Sequence, residues 1–267
     1  MKLCTDIFAE VEYNAIPLGQ RTFPDQFVGH IIQGNCTEVM HQIPDNSIAL
    51  VVTSPPYFVE KQYERDWTFE HYSRLMSNAF TEIAHVLKPG GYLVINFGDY
   101  FNRDRFYVAD VPSVYPASVN FFQWGRSAGL DLQATRIWRK KFARMSIPFV
   151  CNDHPRPVFD YEHIWTFRKP DGTGTEFVND RKKSQRGVLG DGWGASAQLS
   201  DHEAAFPIEL PLWAIDVYSK EANDIVLDPF AGLGTTLLAA MERGRQFIGI
   251  ELSSEHCNQA YCRIRGR

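Results

Sequence analysis

Apolar residues fall along this chain in two rhythms. Short apolar runs occupy 28–33, 48–53, 92–97, 134–140, 161–167, 225–227 and 247–250, and each reads as a strand. Helical segments lie between them, at 37–43, 69–87, 120–128, 207–218, 235–243 and 255–265. In 69–87 the apolar residues Tyr72, Leu75, Met76, Phe80, Ile83 and Leu87 share one side. Lys88-Pro89-Gly90-Gly91 ends that helix, because proline removes a backbone donor and glycine favours the left-handed turn. Strands alternating with helices predict a mostly parallel sheet covered on both faces.

One stretch breaks the rhythm. Residues 170–205 hold glycine, serine, aspartate and basic residues with little periodicity, and they read as an inserted loop or small recognition module. The whole chain, 1–267, fits one large α/β domain carrying that insert. Apolar residues make up 44% of it, enough for a filled core.

No apolar run approaches 18 residues and 1–20 lacks a signal-peptide pattern, so a cytoplasmic protein with no membrane segment is expected. Cys4, Cys36, Cys151, Cys257 and Cys262 form no CxxC pair, and the eight histidines show no ligand spacing. Neither a disulfide framework nor a metal site is expected. The net charge of −5 weighs mildly against a nucleic-acid partner, although a local basic patch can outweigh the total.

Two segments carry chemistry. The first runs from the strand at 225–227 through Asp228-Pro229-Phe230-Ala231-Gly232-Leu233-Gly234 into a helix beginning near Thr235. Glycines let the backbone approach a ligand, and the helix start offers free N–H groups. The next strand ends in Glu251, where a carboxylate can accept both hydroxyls of a ribose. The turn is not Gly-x-Gly-x-x-Gly, and Asp228 at the strand tip would repel a pyrophosphate but welcome a cationic amine. S-adenosyl-L-methionine, with an α-ammonium and no phosphate, suits it.

The second is Thr53-Ser54-Pro55-Pro56-Tyr57, at the carboxyl end of the strand at 48–53, where open α/β sheets bind ligands. Two prolines stiffen the backbone and remove two donors. That leaves carbonyls and the Ser54 hydroxyl as acceptors, with Tyr57 as a flat face. An exocyclic amine conjugated with a base ring is a poor nucleophile. Ser54 Oγ and the Pro55 carbonyl can each accept one of its N–H groups, while Tyr57 stacks on an extruded base.

Together the segments resemble the amino-methyltransferases of DNA, whose catalytic signature is (Asp/Asn/Ser)-Pro-Pro-(Tyr/Phe/Trp) and whose cofactor signature is Phe-x-Gly-x-Gly. Here these are Ser54-Pro55-Pro56-Tyr57 and Phe230-Ala231-Gly232-Leu233-Gly234, with the catalytic motif first, as in the permuted β group of that family. Gln33-Gly34-Asn35 resembles the family's Gly-Asp segment beside the cofactor adenine, with asparagine in place of aspartate. Phe206-Pro207 resembles the Phe-Pro segment that holds its methionine end. The resemblance implies a Rossmann-like, seven-stranded, mostly parallel sheet of the class I methyltransferase type. It assigns Asn35, Thr53, Phe206, Asp228, Pro229, Phe230, Gly232, Gly234, Thr235 and Glu251 to S-adenosyl-L-methionine.

Serine at the first signature position implies N4 of cytosine in double-stranded DNA as the target. The family setting adds a restriction–modification system with a cognate endonuclease, and either a monomer or a homodimer. No cysteine follows a proline, which excludes the C5-cytosine reaction. Arg181, Lys182, Lys183 and Arg186 are the candidate DNA contacts in the insert, with Arg136, Arg139, Lys140, Lys141 and Arg144 as a second basic cluster. Trp193 is a candidate wedge, and Asp99 a candidate proton relay. The alternatives are an N6-adenine enzyme, a protein-glutamine methyltransferase and an inactive DNA-binding protein on the same fold.

Overall fold

The computed structural model describes residues 27–58, 67–102, 113–139, 161–173, 188–189 and 206–266. In chain order the elements are β1 (His30–Gln33), α1 (Cys36–Met40), β2 (Ile48–Thr53), α2 (Phe69–Val86) and β3 (Leu87–Phe97). Then come β4 (Tyr100–Asn102), β5 (Ser113–Tyr115), α3 (Ala117–Ser127), β6 (Asp131–Arg139), β7 (Tyr161–Arg168) and β8 (Val188–Leu189). The last are α4 (Glu209–Tyr218), β9 (Ile225–Asp228), α5 (Thr235–Glu242), β10 (Gln246–Glu251) and α6 (Ser254–Arg265).

The main sheet runs β1-β10-β9-β2-β3-β7-β6-β8, and β4 and β5 form a separate pair. From β1 to β3 every pairing is parallel, whereas β7 runs antiparallel to both β3 and β6. Seven strands match the expected sheet. The eighth, β8, is two residues of the insert paired in parallel with Ile137 and Trp138. The insert thus reaches the sheet edge, which its lack of periodicity did not indicate.

Apolar side chains fill both faces. One core holds Val39 and Met40 of α1, Tyr72, Met76, Phe80 and Ile83 of α2, and Phe121 and Trp124 of α3. The other holds Leu210 and Trp213 of α4, Leu237 and Ala240 of α5, and Cys257 and Ala260 of α6. Three helices per face explain why β2, IALVVT, is buried at every position. Thr68 caps α2 by accepting from the His71 amide at 3.1 Å.

Lys88-Pro89-Gly90-Gly91 does end α2, but no loop follows. The chain enters β3 at once, and its pairing with β2 shifts register between Ile48 and Leu50. A Cβ on Gly91 would stand 2.9 Å from the Lys88 carbonyl oxygen and 3.0 Å from that of Ala49, so the irregularity needs glycine there.

Candidate active site

Five parallel strands end on one edge of the sheet. Gln33 of β1 pairs with Glu251 of β10, Gly249 of β10 with Asp228 of β9, and Val51 of β2 with Leu227 of β9. The chain leaves β9 toward β10 on one side and β2 toward β3 on the other. The gap between β9 and β2 is therefore the switch point where such sheets open a crevice. The glycine turn follows β9 and Ser54 follows β2, so two motifs far apart in sequence meet at that crevice.

A buried knot joins them. Asp228 is 2% exposed. Its Oδ1 accepts from Thr53 Oγ1 at 2.7 Å and from the Phe230 amide at 3.1 Å, and its Oδ2 accepts from Thr236 Oγ1 at 2.6 Å. Burial pushes its carboxyl up to about 6, against the pull of the Thr236, Thr53 and Phe230 bonds. The sequence suggests a strand-tip carboxylate open to an ammonium. The structure instead shows one whose oxygens already serve β2, the glycine turn and α5. Its charge still lies beneath the crevice.

The turn itself is left-handed at both glycines, with φ +50° at Gly232 and +75° at Gly234. Gly234 caps α5 and packs against the neighbouring helix, where an added Cβ would lie 3.2 Å from Ala260 Cβ. An added Cβ on Gly232 meets nothing within 4 Å, so the turn has an open side. Glu251 faces this turn, accepting from the Gly232 amide at 2.9 Å through Oε2 and from the Ser253 amide at 2.9 Å through Oε1. Pro229 is buried, and Phe230 packs on the core. Thr235 opens α5. Asn35 caps α1, its Oδ1 accepting from Thr37 N and Oγ1 at 3.0 and 2.8 Å. Phe206 is buried with Leu210 and Trp213 ahead of α4.

On the other side of the crevice, Ser54 Oγ lies 2.6 Å from Tyr57 OH. Tyr57 OH donates to the Asn96 carbonyl and to Asn96 Oδ1, both at 3.3 Å. The Pro56 carbonyl accepts from Tyr72 OH at 2.9 Å, which ties the loop to α2. Phe58 adopts φ +61°, a conformation that costs a non-glycine residue roughly 1 kcal/mol. Its ring stacks on Tyr72 with centroids 5.1 Å apart, which holds the strained turn. Asp99 Oδ2 sits 3.1 Å from His163 Nε2 at the end of β3.

Three features escaped the sequence reading. Asn96 and the Thr236 bond to Asp228 are set by strand pairing and carry no motif. Leu252, 69% exposed just after Glu251, became visible only once the fold placed it at the strand end. Arg181, Lys182, Lys183, Arg186, Lys140, Lys141, Arg144 and Trp193 lie outside the described residues. Arg136 stacks over Trp213 at 4.9 Å. Burial pushes the Cys36 and Cys257 thiols up to about 12, far from a nucleophilic thiolate. Among the described residues no cluster of metal ligands occurs, and no helix is long and apolar enough to cross a membrane.

This arrangement is the class I methyltransferase fold. TTHA0409 of Thermus thermophilus, solved in complex with S-adenosyl-L-methionine, superposes with a TM-score of 0.68 at 30% identity, covering 89% of this chain and 93% of its own. The PvuII DNA methyltransferase (cytosine-N4-specific) gives 0.68 at 23% identity, covering 87% and 85%, a likeness of fold. A family model described as DNA methylase matches residues 48–261, and the chain belongs to this N6/N4 DNA methylase family. Type II β methyltransferase M.BslI of Bacillus sp. (strain NEB-606) is 29% identical over 250 residues, 85% of this chain but 26% of that relative's length. Type II methyltransferase M.BglI of Bacillus subtilis is 29% identical over 290 residues, covering 82% of this chain and 80% of its own.

Proposed function

We propose that the protein methylates the exocyclic N4 of cytosine in duplex DNA, using S-adenosyl-L-methionine, as the modification partner of a restriction endonuclease. One observation carries the reading: the Ser54-Pro55-Pro56-Tyr57 turn and the glycine turn occupy adjacent strand ends, tied by the Thr53–Asp228 hydrogen bond. The serine in the first signature position favours cytosine over adenine.

The residues present fit the cofactor. The left-handed turn at Gly232 is open on the side a Cβ would occupy, Glu251 lies beside it for the ribose hydroxyls, and Leu252 offers apolar surface to the adenine. Phe206 and Asp228 lie toward the methionine end, Asp228 acting through the charge and the bonds it lends to Thr53. When bound, S-adenosyl-L-methionine supplies an electrophilic methyl group on sulfur. Ser54 Oγ and the Pro55 carbonyl would accept the two N–H bonds of the target amine and turn its lone pair out of conjugation; once the methyl–sulfur bond has broken toward sulfur, the methylated amine would release one N–H proton to solvent. Ser54 is an acceptor and not a strong base, because its hydrogen-bond partner is the Tyr57 hydroxyl. Tyr57 presents its ring to the extruded base. Removing one such preorganised acceptor costs roughly 10²–10³ in rate.

The test is incubation with duplex DNA and methyl-labelled S-adenosyl-L-methionine, then digestion to nucleosides and mass spectrometry. N4-methylcytosine is expected, together with a loss of about 100-fold in turnover for Ser54→Ala at unchanged cofactor affinity. N6-methyladenine would keep the mechanism and overturn the target; unlabelled DNA would overturn the reading.

A further inference from the structure

Asn96 is 1% exposed and is the last residue but one in the pairing of β3 with β7. Its amide is held in one orientation. Nδ2 donates to the His163 carbonyl of β7 at 3.0 Å, so Oδ1 must face the other way, toward Tyr57. A neutral amide has its donors on nitrogen and its lone pairs on oxygen, and the His163 carbonyl accepts only from the nitrogen. Tyr57 OH therefore meets two acceptors on Asn96, the backbone carbonyl and Oδ1.

A phenol has one proton. With that proton directed at Asn96, the 2.6 Å contact between Tyr57 and Ser54 has to be made with the Ser54 proton. The serine hydroxyl then donates toward Tyr57 and keeps its lone pairs for an incoming N–H. In the reverse arrangement Tyr57 would occupy a serine lone pair, and the serine proton would be free to face the target amine donor against donor.

We infer that Asn96 is a positioning residue which, through the Tyr57 hydroxyl, fixes Ser54 as a hydrogen-bond acceptor for the exocyclic amine. The inference rests on the DNA amino-methyltransferase reading and deepens it. At 1% exposure Asn96 offers almost no surface to a base or cofactor. It acts through two hydroxyls, and its effect has to vanish when either is removed. A residue that merely supported the sheet would slow transfer whatever stood at position 54.

The experiment is a pair of double-mutant cycles read by single-turnover methyl transfer to duplex DNA at saturating DNA and S-adenosyl-L-methionine, with cofactor affinity measured alongside. Asn96→Ala is expected to slow the native enzyme by about tenfold or more while cofactor Kd stays within about twofold. In the Ser54→Ala background, Asn96→Ala should change the residual rate by less than about twofold. Tyr57→Phe keeps the ring and removes the hydroxyl. It should slow the enzyme as Asn96→Ala does, and adding Asn96→Ala to it should do nothing more; Tyr57→Phe alone leaves the Asn96–His163 bond intact and must slow transfer at unchanged cofactor affinity even if Asn96→Ala folds poorly. Equal slowing by Asn96→Ala in the native and Ser54→Ala proteins, or a parallel loss of cofactor affinity, would overturn the inference alone. Native protein that transfers no methyl group to DNA would overturn the functional reading and this inference with it.

Discussion

At the scale of single residues, Asp228 has the most to explain. The sequence marks it as an acid at a strand tip, and that much is legible because strand, turn and glycines are contiguous. Its bonds to Thr53 and Thr236 are not legible, since Thr53 lies 175 positions away and nothing in a sequence reports which hydroxyl a carboxylate finds. The structure makes a sign prediction possible. The carboxyl's folded pKa, about 6, lies above its ordinary 3.8, so the folded state binds the proton more readily than the unfolded chain. Stability contributed by this group is therefore absent above pH 6, grows as the pH falls through 6, and is complete below about 4. The gain is of the order of 2–3 kcal/mol at most. Asp228→Asn cannot titrate and lacks this gain. Urea unfolding at steps from about pH 7 to about pH 4.5 should show the native protein gaining on the variant as the pH falls. A constant difference across that range would mean that this carboxyl titrates normally.

At the scale of elements, hydrophobic spacing located most helices and strands to within a few residues. Ile48–Thr53 was placed without error because an unbroken apolar run between Asp45-Asn46 and Pro55-Pro56 leaves little choice. The misses have physical causes. β4, β5 and β8 are two or three residues long, too short for any period. Strand β6 alternates weakly and begins three residues earlier than its apolar run indicates. Helix α3 contains Gly125, a poor helix former by propensity, which is a fitted contact in the structure. A Cβ there would lie 2.4 Å from Phe167 Cε1, and the Phe167 ring is fully buried with Phe80 packed edge-on. Helix propensity alone would credit Gly125→Ala with a gain of about 1 kcal/mol. Overpacking a filled core costs about 1–3 kcal/mol, and a contact that short falls at the upper end. The expected outcome is net destabilisation. Combining Gly125→Ala with Phe167→Leu should recover part of the loss, with a coupling of about 1 kcal/mol or more in a urea double-mutant cycle. Additive losses would mean that α3 simply moves away.

At the scale of the whole molecule, the order of motifs and the distribution of charge belong together. The Ser54–Tyr57 turn leaves β2 early in the chain and the glycine turn leaves β9 late, yet the sheet sets them side by side. The segment between them is free to carry recognition without interrupting either turn. That permuted order was readable from the sequence, because each motif keeps its own strand and helix. Where DNA would lie was not, since basic residues without periodicity give no geometry. A chain with net charge −5 repels a polyanion as a whole, so binding DNA requires cations gathered locally, and Arg181, Lys182, Lys183 and Arg186 are a dense group within the insert. Each phosphate neutralised releases condensed counterions and steepens the dependence of affinity on salt. Replacing all four by alanine should lower the slope of log K against log salt by about 3 to 4. S-adenosyl-L-methionine affinity should not change, because the proposed cofactor residues Gly232, Glu251 and Leu252 lie outside the insert. Fluorescence anisotropy with labelled duplex between low and moderate salt measures the slope directly. An unchanged slope with weaker binding would assign these residues to folding of the insert. An unchanged slope with unchanged binding would move the DNA contact to the Arg136 and Arg139 side of β6.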